Sequence, residues 1–450
     1  MPSSLVLRRG FNIPLQGEAA KKLSLVEEPA LFAIKPPDFP GLIPKLNVKQ
    51  GDKVIAGSAL FHDKIRPEIL YTSPVSGKVT AINRGDRRTV LEVVVEKAGN
   101  ESVDFGRSDP ESVTREFVKK VLLISGLWPT IRQRPYHVVA KPSDVPKSIF
   151  ISCFDTSPLA PDYNFILDKL SLASFRNGIN ALKKLTNGKV NLVLKDSGHL
   201  SEALTSMAGV SINFISGPHP AGNVGVHIHH LDPLIKGQVV WYVNFQDVFS
   251  IGRIFEQGNY IPEKIIALTG SEVIDPQYYR VRTGASVSYI VKDNVKPGEV
   301  RYIAGNVLTG TKISETGYLG FYDSQVTVIP EGRYYEFFGW AKPGARKFSF
   351  HKGFLSKLYP KRKYRLDTNL HGGERAFVMT GDYEKVVPMD IFPMQLFKAI
   401  LAEDINTMEN LGIYEVAEED LALCEYICPS KTEIQAIIRR GISLMMKEMS

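Results

Sequence analysis

Residues 44–57 read Pro44-Lys-Leu-Asn-Val-Lys-Gln-Gly51-Asp52-Lys-Val54-Ile-Ala-Gly57, and residues 71–79 read Tyr71-Thr-Ser-Pro74-Val-Ser-Gly77-Lys-Val79. Apolar residues alternate with polar ones in both stretches. Gly51-Asp52 and Gly57 fall where the chain has to reverse. Short antiparallel strands joined by tight turns require this pattern. It fills residues 41–96, so the N-terminal part is expected to be all-β.

That pattern resembles the lipoyl/biotinyl hammerhead, a barrel-like sandwich of short strands. In carriers with that fold a lysine at the tip of the central hairpin holds the cofactor, and Lys64, in His62-Asp63-Lys64, is the nearest candidate. Counting inward from Gly57 and from Pro74 puts the tip near Arg66-Pro67 instead, and Pro67 stiffens the place a carrier lysine would occupy. The reading is a barrel-sandwich hybrid without the carrier residue.

With 450 residues the chain exceeds one compact core, so several domains are expected. From 110 to 258 short apolar runs (Lys147–Cys153, Lys189–Leu194, Gln238–Val243) alternate with helix-length segments such as Phe165 to Lys184. That alternation predicts a Rossmann-like α/β layer. Strands broken by Gly270, Gly284, Gly298, Gly305 and Gly310 follow, as in a small β-grasp-like unit. Beyond 349 the pattern is helical: Pro393–Glu403, Ile405–Leu411, and a last helix opening on a Ser430-Lys-Thr-Glu433 capping box, with Ile434, Ile437, Ile438, Ile442 and Met445 on one face. The fold class is therefore α+β multidomain. The expected units are a barrel-sandwich hybrid over 1–106, a Rossmann-like domain over 107–258, a β-grasp-like domain over 259–335, and a basic segment with a helical bundle over 336–450.

Composition is that of a folded protein, 44% hydrophobic and 23% charged, which excludes a disordered or low-complexity array. The net charge of +7 favours anionic surfaces or partners without choosing among them. Basic residues cluster from Lys342 to Arg365 with aromatics interleaved (Phe348, Phe350, Phe354, Tyr359, Tyr364). No nucleic-acid module surrounds them, so the cluster reads as a surface facing a partner or membrane, and no nucleic acid is expected. Three cysteines cannot form a disulfide framework, which fits a reducing compartment. Arg8 and Arg9 are followed by no apolar run, and no stretch approaches a spanning length. A cytoplasmic chain is expected, with membrane association through partners.

Cys424-Glu-Tyr-Ile-Cys428-Pro429 matches the last half of the ferredoxin-type run C-x2-C-x2-C-x3-C-P. The two earlier ligands fall at Glu418 and Leu421, so the segment reads as a degenerate iron–sulfur site, or as two buried thiols in a helical bundle. Flavin subunits of complex I and of the Rnf complex carry a glycine-rich loop after an N-terminal helix. Here the helix Glu116–Leu123 is followed by Gly126-Leu-Trp128-Pro-Thr-Ile-Arg132-Gln-Arg134-Pro, without the glycines that let amides approach a phosphate. Gly305-Asn-Val-Leu-Thr-Gly310-Thr311-Lys312 nearly matches a P-loop, but its last two residues are reversed and no helix pattern follows. Gly217-Pro-His219-Pro-Ala-Gly222-Asn-Val-Gly225-Val-His227-Ile-His229-His230 concentrates four histidines. Read as a strand, it puts His227 and His229 on one face. No Cys, Asp or Glu completes a ligand set before Asp232, so ligand contact or polar packing is favoured over a metal.

Gly126-Leu-Trp128, Arg132-x-Arg134-Pro135, Asp155-Thr-Ser-Pro-Leu-Ala160, Gly217–Gly222, Val226-His-Ile-His229, Trp241–Asp247, Tyr318-Leu-Gly320, Gly339-Trp340 and Glu418–Cys424 together resemble the NqrA family, the A subunits of the bacterial sodium-translocating NADH:quinone reductases. A run that is typically Asn-Gly-Gly-x-Arg reads Leu370-His371-Gly372-Gly373-Glu374-Arg375 here. The resemblance covers essentially the whole chain. It implies a subunit peripheral on the cytoplasmic face of the inner membrane, working with five others (B to F) to oxidise NADH, reduce ubiquinone or menaquinone and export Na+. It also implies a fold similar to the flavin subunit of complex I with neither FMN nor an iron–sulfur cluster bound, and a link to quinone. A quinone head group needs donors at its carbonyls and an aromatic wall. Trp128, Arg132, Arg134, His219, His227 and His229 are the candidates. A redox-inert scaffold, or a Rnf-like electron-transfer subunit, remains the alternative.

Overall fold

In this computed structural model residues 3–195, 202–205, 207–334, 336–339 and 342–448 are described. Trp340 lies outside them.

The N-terminal sandwich has two antiparallel sheets. Four strands run in the order Leu31–Ile34, Val90–Lys97, Gly77–Arg84, Lys53–Val54, and three in the order Pro44–Leu46, Ala59–Asp63, Leu70–Thr72. Phe32, Leu60, Phe61, Val79, Val93 and Val95 fill the space between them. Gly51 holds φ 97°, a left-handed turn, and its amide donates to Val79 O at 2.8 Å. The hairpin turn falls at Arg66-Pro67, as counted inward from Gly57 and Pro74. There Arg66 donates to the buried Asp63 at 2.9 Å, which ties the tip down.

Next comes a seven-stranded sheet. Ser3–Val6, Ser211–Ser216, Lys189–Lys195, Ser148–Ser152 and Val240–Asn244 lie parallel; Ile131–Arg134 and Val138–Val139 complete one edge antiparallel. Both faces are covered, so the strands read as continuous apolar runs. Ile149, Ile151, Trp241 and Val243 join the larger core, while the alternate residues Phe150, Val240 and Tyr242 join a second core with the C-terminal helices. Helices Leu172–Leu185 and Phe245–Gln257 cross closely at Gly178 and Gly252, where any Cβ would strike the carbonyl oxygen of Val248 or Ser174. The helix-length segment 165–184 is two helices, Tyr163–Leu167 and Leu172–Leu185, each started by its own cap, Asp162 and Ser171.

A six-stranded sheet follows, in the order Thr311–Ile313, Val300–Ala304, Gln325–Pro330, Glu263–Thr269, Gln277–Arg282, Leu23–Ser24. Gly305–Gly310 is the turn of a hairpin in it, which explains why no helix follows that near-match to a P-loop. The C-terminal helices Tyr383–Val386, Pro393–Leu401, Ile405–Asn410, Ala422–Ile427 and Ile434–Glu448 share one core, with Ile434, Ile438, Ile442 and Met445 inward. No helix among the described residues is long and apolar enough to cross a membrane.

Three expectations are corrected. Residues 1–106 are not one self-contained unit: Ser3–Val6 and Leu23–Ser24 are edge strands of the other two sheets, placed there by parallel pairing with Asn213–Ser216 and Tyr278–Tyr279. The 430–433 capping box does not form. Ser430 Oγ donates to Ala376 O instead, Lys431 takes φ 59°, and the helix starts only at Ile434. The Val-His-Ile-His run is not a strand but the helix Val224–Leu231, because burial of 224–228 on all sides removes the need for an exposed face.

Candidate functional site

The strand order reverses beside Ser148–Ser152: the chain steps to Lys189–Lys195 and Ser211–Ser216 on one side, then returns as Val240–Asn244 on the other. In an open parallel sheet a crevice forms at such a point, beyond the carboxyl ends of the strands. A cleft of two adjoining lobes lies there, with empty volumes of about 670 and 1220 Å³ including the solvent they open to. The α/β sheet, the third domain and the C-terminal region all contribute walls. Arg132, Asp155, Tyr163, Asn244, Asn306, Thr309 and Glu419 line both lobes.

Arg132 is central. Its guanidinium lies 4.7 Å from the Tyr242 ring centre and 4.2 Å from that of Tyr322, and donates to Asn244 Oδ1 at 3.0 Å. It also meets His137 Nε2 at 3.2 Å, while His137 Nδ1 lies 3.1 Å from the Tyr242 hydroxyl. Burial and the neighbouring arginines push His137 well below the usual histidine range, so it is a neutral acceptor at Nε2 and a donor at Nδ1. Burial opposes the charge on Arg132, but the two tyrosines, Glu419 and Asp247 hold it in place. Arg132 Nε has no hydrogen-bond partner among the described residues.

His219 enters from the Gly217–Gly222 loop, which packs on residues 155–156. Gly222 N donates to Thr156 Oγ1 at 2.9 Å, and a Cβ at Gly222 would meet the Thr156 backbone. His219 is 4% exposed, with Nδ1 3.2 Å from Thr156 Oγ1 and Nε2 unpartnered at the cleft. Burial lowers it to about 4, so it is neutral. In the second lobe Lys264 pairs with Asp247 at 3.1 Å, leaving Asp247 Oδ2 free, and Glu418 Oε2 is likewise buried without a partner.

Of the six candidates, then, Arg132 and His219 face the cleft, and four do not. Trp128 is fully buried, donating from Nε1 to Ala140 O at 2.8 Å and meeting Trp241 edge-on. Arg134 is walled off by Glu419 at 2.9 Å and Asp420 at 3.0 Å. His227, on the helix Val224–Leu231, donates back to Ala221 O of the preceding loop at 2.8 Å. His229 joins its helix to the C-terminal region, 2.6 Å from Glu415 and accepting from Asp390 N at 3.0 Å. No group of three or more His, Cys, Asp or Glu among the described residues is placed to hold a metal.

Cys424 and Cys428 lie buried in the second core, Cys153 in the first. Tyr383 Oη donates to Cys428 Sγ at 3.0 Å and Thr432 N to the same sulfur at 3.4 Å. Burial raises Cys428, but these donors outweigh it and lower the thiol; Cys424 is raised by burial. After Gly126 the chain turns inward through Trp128 into the strand Ile131–Arg134, and the Leu127 and Thr130 amides are taken up by Leu122 O and Leu127 O.

Tyr163, Tyr242, Asn244, Tyr322 and Glu419 were not singled out by sequence. Asp155, Asn244 and Phe245 follow the ends of two predicted strands, which is the signal that marks them.

Three family matches run along the chain: the NqrA N-terminal barrel-sandwich hybrid domain over residues 5–98, the NqrA second alpha/beta domain over 113–260 and the NQRA C-terminal domain over 265–315. The A subunit of the Na(+)-translocating NADH-quinone reductase of Yersinia pseudotuberculosis is 41% identical over 98% of this chain and 99% of its own length. That of Saccharophagus degradans is 40% identical over 98% and 99%, and that of Actinobacillus pleuropneumoniae 38% over 99% and 100%. A solved NAD+-reducing [NiFe]-hydrogenase chain superposes over 68% of this chain and 55% of its own, at TM-score 0.36 and 12% identity. With near-complete coverage at this identity, the chain belongs to the family formed by the A subunits of the Na(+)-translocating NADH-quinone reductases.

Proposed function

We propose that this chain is a peripheral subunit on the cytoplasmic face of the bacterial inner membrane, assembled with five partners (B to F) into a sodium-pumping NADH:quinone oxidoreductase, and that its cleft receives a quinone head group. The observation that carries this is Arg132: a buried cation between two tyrosine rings that lines the cleft together with His219, with no hydrogen-bond partner among the described residues for Arg132 Nε or for His219 Nε2. A quinone offers two carbonyl oxygens and a flat ring. Arg132 supplies a charge-assisted donor for one oxygen, neutral His219 a donor or acceptor, and Tyr163, Tyr242 and Tyr322 the wall. Electrons reaching the ring make the oxygens more negative until two protons are taken up to give the neutral quinol, so a fixed guanidinium there favours the reduced, not yet protonated head group over the quinone.

In this reading the chain holds neither FMN nor an iron–sulfur cluster, and NADH, Na+ and electrons are handled elsewhere in the complex. The strand reversal supports a Rossmann-like unit over 107–258, the six-stranded sheet a β-grasp-like unit over 259–335, and the shared apolar core a helical bundle within 336–450.

A photoreactive ubiquinone or menaquinone analogue, irradiated on the assembled complex, tests the site. Label on residues 126–138, 152–163, 215–232 or 241–247, competed by excess quinone and lost in Arg132→Ala, supports it. Label confined to the other subunits leaves this chain as scaffold.

A further inference from the structure

Between residues 337 and 366 the chain carries nine lysines and arginines and no aspartate or glutamate. This segment has two faces. Inward, Phe348 stacks on Phe11 at 5.6 Å, Phe350 meets the same ring edge-on at 5.1 Å, and buried Tyr364 donates its amide to Pro14 O at 2.7 Å. Those contacts pin the segment to the N-terminal strand region. Outward, the short turn Leu355–Leu358 and the residues after it expose Leu355, Leu358 (67% exposed) and Tyr359 (59%), interleaved with Lys357, Lys361 and Arg362.

Four of the segment's other cations have carboxylates: Lys342 and Lys347 pair with Glu336, Lys363 with Glu18 and Arg365 with Glu272. Among the described residues none faces Lys357 or Lys361. A knob with both unneutralised cations and bare leucines calls for an opposing surface that is anionic outside and hydrocarbon inside. A nucleic acid satisfies the cations alone, since Leu355 and Leu358 gain nothing from its phosphates, whereas an anionic leaflet offers phosphates and hydrocarbon together.

We infer that residues 352–362 dock on an anionic lipid surface, with Leu355, Leu358 and Tyr359 entering the headgroup boundary and Lys357, Lys361 and Arg362 meeting lipid phosphates. Sodium translocation, named for the relatives, requires a sealed membrane, so such a surface is at hand. The inference replaces the expectation that membrane association runs through partners alone. It rests on the peripheral placement proposed above and not on the quinone site.

The test is flotation of the purified full chain with vesicles of phosphatidylcholine alone or mixed with phosphatidylglycerol, at low and high salt. Binding to the mixed vesicles only, weakened by salt, is expected. Lys357→Gln with Lys361→Gln should lower the partition roughly 30-fold, from the attraction of two cations to an anionic leaflet. Leu358→Ser should lower it about tenfold, from one leucine left out of the hydrocarbon boundary. Both changes lie on the exposed face, and an unchanged melting temperature checks the fold. Equal binding to neutral vesicles, no binding to either, or a Leu358→Ser chain that binds as before would overturn the inference; the last would indicate charge recognition by an acidic protein or nucleic acid. Arg132→Ala should leave flotation unchanged, which separates this outcome from that of the quinone site.

Discussion

The guanidinium of Arg132 lies 4.2 Å from the ring centre of Tyr322, and the Tyr322 hydroxyl donates to Pro129 O at 2.7 Å. One residue of the α/β sheet and one of the third domain therefore hold each other across the cleft. The same contact that shapes the site also ties two domains together.

Arg132→Ala is expected to act on both levels. Loss of contact with two tyrosines should cost about 1–2 kcal/mol in unfolding experiments on the chain. In the assembled complex the quinone KM should rise, with NADH oxidation by artificial acceptors spared. Arg132→Lys should recover part of the stability and little of the quinone affinity, because an ammonium lacks the planar face and the Nε donor. A quinone KM unchanged in both variants would remove Arg132 from the site.

The pair behind it is a different case. Arg134 is fully buried against Asp420, itself buried, and Glu419, which is partly open. Burial pushes Asp420 upward and Arg134 pulls it back. Asp420→Ala should cost about 3–5 kcal/mol, since it strands a buried guanidinium, whereas Glu419→Ala should cost about 1 kcal/mol. Arg134→Met with Asp420→Leu should restore most of the loss, as measured by urea midpoints. Gly225→Ala belongs to the same set, because its Cβ would fall on the Asp420 carboxylate.

Much of this fold was legible. Gly51 and Gly57 punctuated the sandwich, and buried β-branched runs marked the parallel strands. Edge strands of four and two residues, Ser3–Val6 and Leu23–Ser24, carry no pattern of their own; only their pairing partners reveal them. The helix at 224–231 mimicked a strand because His227 and His229 alternate with apolar residues. The site was half legible for a similar reason. Arg132 and Arg134 share one face of a strand and both flank Tyr242, yet only the structure shows that Glu419 and Asp420 close over the second. Tyr322 and Glu419 reach the cleft from segments far along the chain, a separation no spacing rule spans.

Buried neutral histidines set the acid limit of stability. His219 and His227 are both lowered by burial to about 4, against about 6.5 for a free histidine. As pH falls below 6.5 the unfolded chain takes up protons that the folded chain refuses. The contribution is thus complete above pH 6.5 and declines until about pH 4. At pH 5 each histidine should have cost about 2 kcal/mol. Urea midpoints measured from pH 7 to pH 5 should fall steeply, and His227→Gln, which keeps a donor for Ala221 O, should flatten the slope. A slope identical in that variant would mean His227 takes up its proton as readily in the folded chain as in the unfolded one.

The cysteine pair yields the last prediction. Cys428 Sγ accepts from Tyr383 Oη and Thr432 N, and the positions where a cluster's other thiolates would stand hold Glu418 and Leu421. If the pair is packing rather than ligation, replacing both thiols with serine changes stability but not metal content. Cys424→Ser with Cys428→Ser should cost about 1–3 kcal/mol, from polar groups placed in an apolar core. Iron per assembled complex and the rate of quinone reduction should stay at wild-type levels. Tyr383→Phe should raise the reactivity of neither thiol toward a water-soluble disulfide reagent, because both are buried, but should remove the donor that favours the Cys428 thiolate. Iron lost together with the two thiols would overturn the packing account and make the Cys424–Cys428 segment a working ligand pair, completed by cysteines from elsewhere in the complex.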